Sequence, residues 1–249
     1  MTAAADRVGA GSHTGRVNVS ILIVPVILPV SFWAWYHYQK DRQLPEPLSH
    51  LLAAFLLGGV AFWLGSLMYQ ALDLVGLRLD AFLLADTDRP RLFRYALFAI
   101  GPIEEMAKLL PFLVIVRFFP EFDEPVDGII YASFIALGFA TVENILYLQF
   151  VTSGEALARG FAGPVVHIVF ASLWGYYIGR ACLARRAVLR TLLLAFCGTA
   201  GLHGLYDYLV IALPAFALPA SALMVLGLWL WRMALIRDLN SKAGAASQC

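Results

Sequence analysis

The chain has 249 residues, of which 61% are hydrophobic and 14% are charged, and its mean hydropathy is +0.76. These values lie outside the range of ordinary soluble domains and indicate a polytopic membrane protein. The formal net charge of +1 includes no basic excess, so nucleic acid is not an expected partner. The three cysteines have no paired or CxxC spacing and therefore predict neither a disulfide framework nor a cysteine metal site.

Seven windows of the chain are apolar enough for membrane-spanning helices, each of which needs about 20 predominantly apolar residues. They are residues 19–38, 48–72, 92–116, 126–150, 163–183, 190–212 and 215–236. Residues 73–91 mix aspartates with apolar side chains, which predicts an amphipathic segment at the membrane surface. We therefore predict an all-α, polytopic bundle of about seven transmembrane helices, with residues 1–249 forming a single integral membrane domain.

The basic residues in the loops and near the ends of these windows indicate an orientation. Ten Lys and Arg, among them Arg232, lie on the side of the carboxyl terminus, and seven lie on the other side. Four of the ten belong to one short loop between Arg180 and Arg190, and short loops count most strongly. The positive-inside rule therefore favours a cytoplasmic carboxyl terminus.

Charged side chains interrupt the third window at residues 101–112 (GPIEEMAKLLPF). An ionised carboxylate in hydrocarbon costs at least ~2.5–3.5 kcal/mol, so Glu104 and Glu105 are expected to face the inside of the bundle. Lys108 follows Glu104 by four residues, the spacing of a helical ion pair. Adjacent residues on a helix point about 100° apart, so we expect the two glutamates to have separate tasks. Pro102 is expected to weaken the helix just before them.

Further ionisable residues occur at membrane depth in three other windows. Glu143 lies in the fourth window, His167 in the fifth, and His203 and Asp207 in the sixth. His203 and Asp207 are four residues apart, which lets the carboxylate hold the imidazole in one tautomer. Together with the charged residues of the third window, they predict one polar site inside the bundle.

Such a site suits the hydrolysis of a peptide bond, which needs an activated water, a donor for the oxyanion and an acid for the leaving amine. No HExxH motif occurs, which excludes a zinc site built on a single helix of that type. The GxSG and GxGD motifs of serine and aspartyl intramembrane enzymes are also absent. The alternatives are a proton-coupled transporter or channel that uses the buried Glu, His and Lys cluster, and a non-catalytic scaffold for membrane partners.

Between residues 95 and 210 the motifs resemble those of the PrsW family of intramembrane proteases. The matching runs are Glu104-Glu105-x-x-Lys108, Phe139-x-x-x-Glu143-Asn144, His167-x-x-x-Ala171 and His203-x-x-x-Asp207. Asp127-Gly128, which opens the Glu143 helix, is similar to part of the same pattern. The resemblance implies cleavage of a membrane-anchored protein, such as an anti-sigma factor, in the bacterial cytoplasmic (inner) membrane. The family is related to the CAAX-processing endopeptidases and Abi proteins. Those enzymes have His where this chain has Glu143, so prenyl-protein processing is the poorer analogy.

The resemblance also assigns roles to the matched residues. We expect a glutamate to activate water, and His167 and His203 to donate hydrogen bonds to the oxyanion or the leaving amine. A zinc mechanism stays open, in which His167, His203 and Glu143 hold Zn²⁺ and leave a fourth position for water. Without zinc, no cofactor is expected. The implied catalytic residues are Glu104, Glu105, Lys108, Glu143, His167, His203 and Asp207.

Overall fold

The computed structural model describes residues 19–39, 45–147 and 153–246, and all regular secondary structure in these ranges is helical. Residues 1–18 lie outside these ranges, as do the last three residues of the 126–150 window. The helices are α1 (Val19–Tyr38), α2 (Leu48–Leu74), α3 (Ala81–Thr87), α4 (Arg89–Tyr95), α5 (Gly101–Phe118), α6 (Pro125–Tyr147), α7 (Ser153–Ala184), α8 (Val188–Ala212) and α9 (Pro214–Ala246). A π-helical turn, Ala96–Ile100, joins α4 to α5.

The all-helical prediction is confirmed for the described residues. Six of the predicted windows each overlap one α-helix, whereas the 92–116 window comprises the end of α4, the π-helical turn and most of α5. Four helical segments in the described ranges are long and apolar enough to cross a membrane: Leu48–Leu74, Pro125–Leu146, Gly160–Ala184 and Val188–Ala212. Helix α5 is not among them because it combines a length of 18 residues with four charged side chains. The count of seven spans stays a prediction.

The segment between the second and third windows folds into the two short helices α3 and α4. Asp80 starts α3 by accepting a hydrogen bond of 3.0 Å from the Leu83 amide. Asp88 starts α4 in the same way, with the Arg91 amide at 3.0 Å. Two aspartates of the predicted amphipathic segment are therefore helix caps, which satisfy backbone N–H groups that would otherwise lack a partner.

The π-helical turn and α5 are pressed against α8 through glycines. Pro102 has no N–H, so the α-helical hydrogen-bond pattern cannot continue through it, and the π turn lies directly before it, as the proline predicts. A Cβ atom added to Gly101 would lie 2.2 Å from the Ala200 carbonyl oxygen, and one added to Gly204 would lie 2.3 Å from the Ala96 oxygen. Backbone contact at these positions fixes the start of α5 against the middle of α8.

Helix α6 is the most buried element and packs between α2 and α7. A Cβ atom on Gly58 would lie 2.1 Å from the Ile135 carbonyl oxygen, which agrees with the close packing that the glycines of α2 predict. On the other side, a Cβ atom on Gly175 of α7 would lie 2.3 Å from the Gly128 oxygen. These close contacts bring the polar residues of α5, α6, α7 and α8 within reach of one another.

Candidate active site

The structure brings all seven residues predicted for the site into one cluster, drawn from four helices. Glu105, Lys108 and the two histidines are buried, whereas Glu104, Glu143 and Asp207 keep 15%, 14% and 20% of their side-chain surface exposed. The members of the cluster are Glu104, Glu105 and Lys108 of α5, Glu143 of α6, His167 of α7, and His203 and Asp207 of α8.

Glu105 is held by three hydrogen-bond donors from three helices. Its Oε1 accepts from Lys108 Nζ at 2.6 Å and lies 2.6 Å from His203 Nδ1, while its Oε2 accepts from Trp174 Nε1 at 2.7 Å. Glu105, Lys108 and Trp174 are all fully buried. Lys108 therefore pairs with Glu105 at i,i+3, not with Glu104 as the i,i+4 spacing predicted. The reason is that Glu105 is the glutamate whose side chain enters the interior of the bundle.

The hydrogen bonds of the two histidines fix their tautomers. The Lys108 ammonium has only hydrogens to offer and lies 3.1 Å from His167 Nδ1, so Nδ1 is the acceptor. His167 Nε2–H then donates to Glu143 Oε2 at 2.8 Å. His203 gives its Nδ1–H to Glu105, which leaves its Nε2 with the lone pair. Each histidine therefore donates to a carboxylate through one nitrogen, and its other nitrogen is an acceptor. In His167 that acceptor already receives a hydrogen from Lys108.

These lone-pair nitrogens face the two carboxylates that are not closed off by hydrogen bonds. Glu104 Oε2 lies 3.9 Å from His167 Nδ1 and 3.7 Å from His203 Nε2. Asp207 Oδ2 lies 3.8 Å from His203 Nε2, and it is buried with no hydrogen-bond partner in the described ranges. These separations exceed hydrogen-bond length. Separations of this size are expected between atoms that bind the same water molecule or ion.

The donor atoms fit a metal ion. Ligand atoms of Glu104, His167 and His203 all lie within 4.8 Å of one another. Zinc bonds of about 2.0–2.2 Å place tetrahedral ligands roughly 3.3–3.6 Å apart, close to the separations of Glu104 from both histidines. Each histidine also gives its other N–H to a carboxylate, as metal-bound histidines do. For His167 to ligate through Nδ1, Lys108 would have to release that nitrogen.

Glu143 has a different position from the one expected of a metal ligand. Its Oε2 accepts from His167 Nε2 at 2.8 Å. Among the described residues, the group that could hold a metal ion consists of Glu104, His167 and His203 and does not include Glu143. Glu143 therefore orients the imidazole of His167. Asp127, which the motif resemblance included, lies at the start of α6, where its Oδ2 accepts from the amides of Asp123 and Glu124 at 2.9 and 2.6 Å.

Aromatic side chains form the apolar wall of the cluster. The Phe170 ring stacks on His203 with centroids 4.8 Å apart, and the Phe139 ring lies 5.2 Å from His167 and beneath Lys108 Nζ at 4.9 Å. The sequence prediction missed Trp174. The spacing held a signal, because His167, Phe170 and Trp174 are three and seven residues apart and so share one face of α7.

Comparison with known proteins identifies the family. Residues 46–234 match the model of the PrsW family of intramembrane metalloproteases. The chain belongs to the PrsW family. It is 33% identical to the protease PrsW of Oceanobacillus iheyensis over 81% of this chain and 87% of that protein. It is 33% identical to the protease PrsW of Geobacillus kaustophilus over 85% and 87% of the two chains. It is 29% identical to the protease PrsW of Clostridioides difficile over 84% of this chain and 87% of that protein. No solved structure matches the chain.

Membership in the PrsW family makes the protein a protease that acts on a protein substrate, and its apolar helices agree with an integral membrane protein. The family is described as one of metalloproteases, and the chain holds a Glu, His and His group able to bind a metal ion.

Proposed function

We propose that the protein is an intramembrane endopeptidase that hydrolyses a peptide bond of a membrane-anchored protein at the cluster of Glu104, His167, His203 and Asp207. One observation carries this proposal. Glu104 Oε2 lies within 3.9 Å of the lone-pair nitrogens of both histidines, yet Glu104 makes no hydrogen bond to the described residues. Glu104, like Asp207, can take up a proton without first losing a hydrogen-bond partner among the described residues, and Glu104 is the one that lies close to both histidines.

In the proposed reaction, Glu104 takes one proton from the attacking water, which donates its other hydrogen to the lone pair of His203 Nε2. The water oxygen forms a bond to the scissile carbonyl carbon, the C–N bond then breaks, and Glu104 returns the proton to the leaving amine. Glu105 does not touch the reacting atoms in this scheme. It holds the His203 tautomer, as Glu143 holds that of His167. The geometry favours accepting roles for the histidines over the donating roles expected from the sequence.

A metal ion is compatible with the same residues. Glu104, His167 and His203 would hold it, with Asp207 as a further oxygen close to His203. A bound Zn²⁺ would lower the pKa of a water and polarise the scissile carbonyl. The glutamate-activated mechanism needs none, so the chelation experiment below distinguishes the two.

The membrane arrangement and the substrate are part of the proposal. We infer that α1, α5 together with α4, and α9 cross the bacterial inner membrane beside the four apolar spans, giving seven crossings in one domain. Burial of the charged side chains of α5 inside the bundle supports this. A single-span protein such as an anti-sigma factor is the proposed substrate class, and a distant relation to the CAAX-processing and Abi proteins rests on the motifs alone.

The test is cleavage of a single-span, anti-sigma-type protein co-reconstituted with the purified protease in lipid vesicles. The variants are Glu104→Gln, His203→Ala and, as a matched control, Glu121→Gln, whose carboxylate lies in the loop after α5 and is 42% exposed. Wild type and Glu121→Gln should cleave at equal rates. Glu104→Gln should lower kcat by about 100-fold or more, the loss expected for a general base.

Each reaction is repeated with a zinc chelator. Loss of cleavage on chelation and recovery on adding zinc would assign a metal mechanism, while insensitivity would assign the glutamate-activated water. Full activity of Glu104→Gln would overturn the site. Proton flux through the vesicles without any cleavage, abolished by Glu104→Gln, would favour a transporter instead.

A further inference from the structure

The seven-residue cluster of the candidate active site, here named the Glu/His cluster, is short of hydrogen-bond donors for the oxyanion that peptide hydrolysis creates. The N–H of His203 is given to Glu105, and that of His167 to Glu143. Lys108 divides its hydrogens between Glu105 and His167 and otherwise covers the Phe139 ring. A developing negative charge on the scissile carbonyl oxygen needs a donor of its own, and such donors make a large contribution to catalysis.

Helix α2 presents one face to the site. Phe62, Gly65 and Tyr69 are three and seven residues apart, so they share a face of α2. The Phe62 ring lies 5.5 Å from the ring of Phe139, which itself lies 5.2 Å from His167. A Cβ atom added to Gly65 would lie 3.5 Å from the Cβ of Ala107 on α5. The face that carries Tyr69 is therefore the face packed on α5 and α6.

The register of the three helices brings Tyr69 to the level of the carboxylates. Leu51 of α2 packs in the same core cluster as Phe112 of α5, whereas Phe62 packs with Ala107, so α2 and α5 run in opposite directions. Tyr69 lies one turn after Gly65 on α2. Because the two helices are antiparallel, it is level with the turn of α5 before Ala107, where Glu104 lies. Helix α6 runs parallel to α2, and four residues past Phe139, about 6 Å along the axis, it reaches Glu143.

The electrostatic surroundings of Tyr69 agree with this register. The carboxylates of Glu104, Asp207 and Glu143 lie within electrostatic range of its side chain. No hydrogen bond to the described residues engages that hydroxyl. A phenol, with an ordinary pKa near 10, is neutral and able to donate over the working pH range of most enzymes. Tyr69 is thus a donor without an acceptor among the described residues, at the level of the carboxylates proposed to react.

We propose that Tyr69 is a catalytic residue whose hydroxyl donates a hydrogen bond to the carbonyl oxygen of the scissile peptide bond. As the water oxygen bonds to the carbonyl carbon, the electron pair of the C=O bond moves to oxygen, and the Tyr69 O–H stabilises that charge without transferring its proton. The electron pair returns when the C–N bond breaks, and the amine receives its proton from Glu104. This inference rests on the proposed peptidase function.

The experiment compares Tyr69→Phe, which removes only the hydroxyl, with Tyr177→Phe in the same vesicle assay. Tyr177 is the matched control because it lies on α7 at 44% exposure, stacked on Trp231. Tyr69→Phe should lower kcat about 100-fold with KM and the melting temperature unchanged, within the range found for loss of an oxyanion donor. Tyr177→Phe should match the wild type. A merely structural role for Tyr69 would lower the melting temperature instead.

A second variant covers the case in which Tyr69→Phe folds poorly. Replacing Tyr69 by 3,5-difluorotyrosine keeps the hydroxyl but lets it ionise at lower pH, so the alkaline limb of the kcat profile should move to lower pH. An unmoved limb would overturn the inference, as would wild-type kcat in Tyr69→Phe.

The side-chain amide of Asn144, whose Oδ1 would lie 3.4 Å from a Cβ atom on Gly163, provides the competing donor. Loss of kcat in Asn144→Leu with normal kcat in Tyr69→Phe would transfer the role to Asn144 and overturn the inference while leaving the proposed peptidase intact. If the wild type cleaves nothing, the proposed function fails, and the role of Tyr69 fails with it.

Discussion

Within the part of the chain that the structure describes, the Glu/His cluster and a second polar cluster lie inside the apolar bundle and are built in opposite ways. In the Glu/His cluster, carboxylates and imidazoles from four helices face one another, with Glu104 and Asp207 left outside the hydrogen-bond network. In the other, which we call the Arg232 cluster, Arg232 of α9 is fully buried. It donates to Ser172 Oγ at 2.9 Å, to Ser133 Oγ at 3.0 Å and to His37 Nδ1 at 2.9 Å.

The difference lies in what opposes the charge. Glu105 meets a buried cation, Lys108, at 2.6 Å, so each charge depends on the other. Arg232 meets only neutral acceptors, and it makes no ion pair with the described residues. Its guanidinium joins α1, α6, α7 and α9 through hydrogen bonds. Burial of a charge alone therefore does not mark a reactive site. What distinguishes the Glu/His cluster is that several of its acceptor atoms face each other at 3.7–3.9 Å.

The largest effect is expected for Lys108→Met, which leaves Glu105 as a buried carboxylate without its cation. Removing one partner of a buried ion pair costs about 3–5 kcal/mol, and we expect a loss of that size in the free energy of unfolding. Denaturant unfolding of the detergent-solubilised protein measures it. A loss below the effect of Arg232→Met would contradict the distinction between the clusters.

A smaller effect is expected for Trp174→Phe, which keeps an aromatic ring but removes the N–H that binds Glu105 Oε2. A hydrogen bond to a charged group contributes about 1.5–3 kcal/mol, which sets the expected loss of stability. The catalytic rate should fall less than in Glu104→Gln because Trp174 acts only through Glu105. Unchanged unfolding together with unchanged kcat would remove Trp174 from the network.

The smallest effect is expected for Arg232→Met. Removing a buried charge is most costly when it leaves an opposite charge unpaired, and Arg232→Met leaves none among the described residues, so we expect a change within about 1 kcal/mol. Ser133 and Ser172 keep their own hydrogen bonds to the carbonyls of Ile129 and Ile168 at 2.6 and 2.7 Å. Cleavage should be retained. Loss of cleavage with normal stability would show that the Arg232 cluster takes part in the reaction.

The two clusters also differ in how far the sequence predicts them. Glutamates and histidines within apolar windows predicted which residues meet in the Glu/His cluster, because hydrocarbon leaves them few other positions. The helix windows followed from the same physics, and α1 (Val19–Tyr38) coincides with its predicted range. The partner of Lys108 was predicted wrongly, since helical spacing alone allows a pair with either glutamate and tertiary packing decides between them.

Other residues could not be assigned from the sequence. Arg232 was predicted as a charge flanking the membrane, because near the end of an apolar window it is indistinguishable from a residue that faces lipid headgroups. Its burial depends on serines of α6 and α7, more than 50 residues away in the chain. Tyr69 looks like any aromatic residue of a span, and only the register of α2 against α5 and α6 directs it towards the carboxylates.

The central claim is that Glu105 stabilises the fold, whereas the adjacent Glu104 takes part in the reaction. Comparing the unfolding of Glu104→Gln with that of Glu105→Gln tests it most directly. In Glu105→Gln one amide oxygen must serve the three donors that two carboxylate oxygens serve now, and its amide N–H₂ competes with one of them. We expect this variant to lose about 3–5 kcal/mol in its free energy of unfolding. Glu104→Gln breaks no hydrogen bond to the described residues and should remain within about 0.5 kcal/mol of the wild type. Equal losses in the two variants, or a larger loss in Glu104→Gln, would contradict the account.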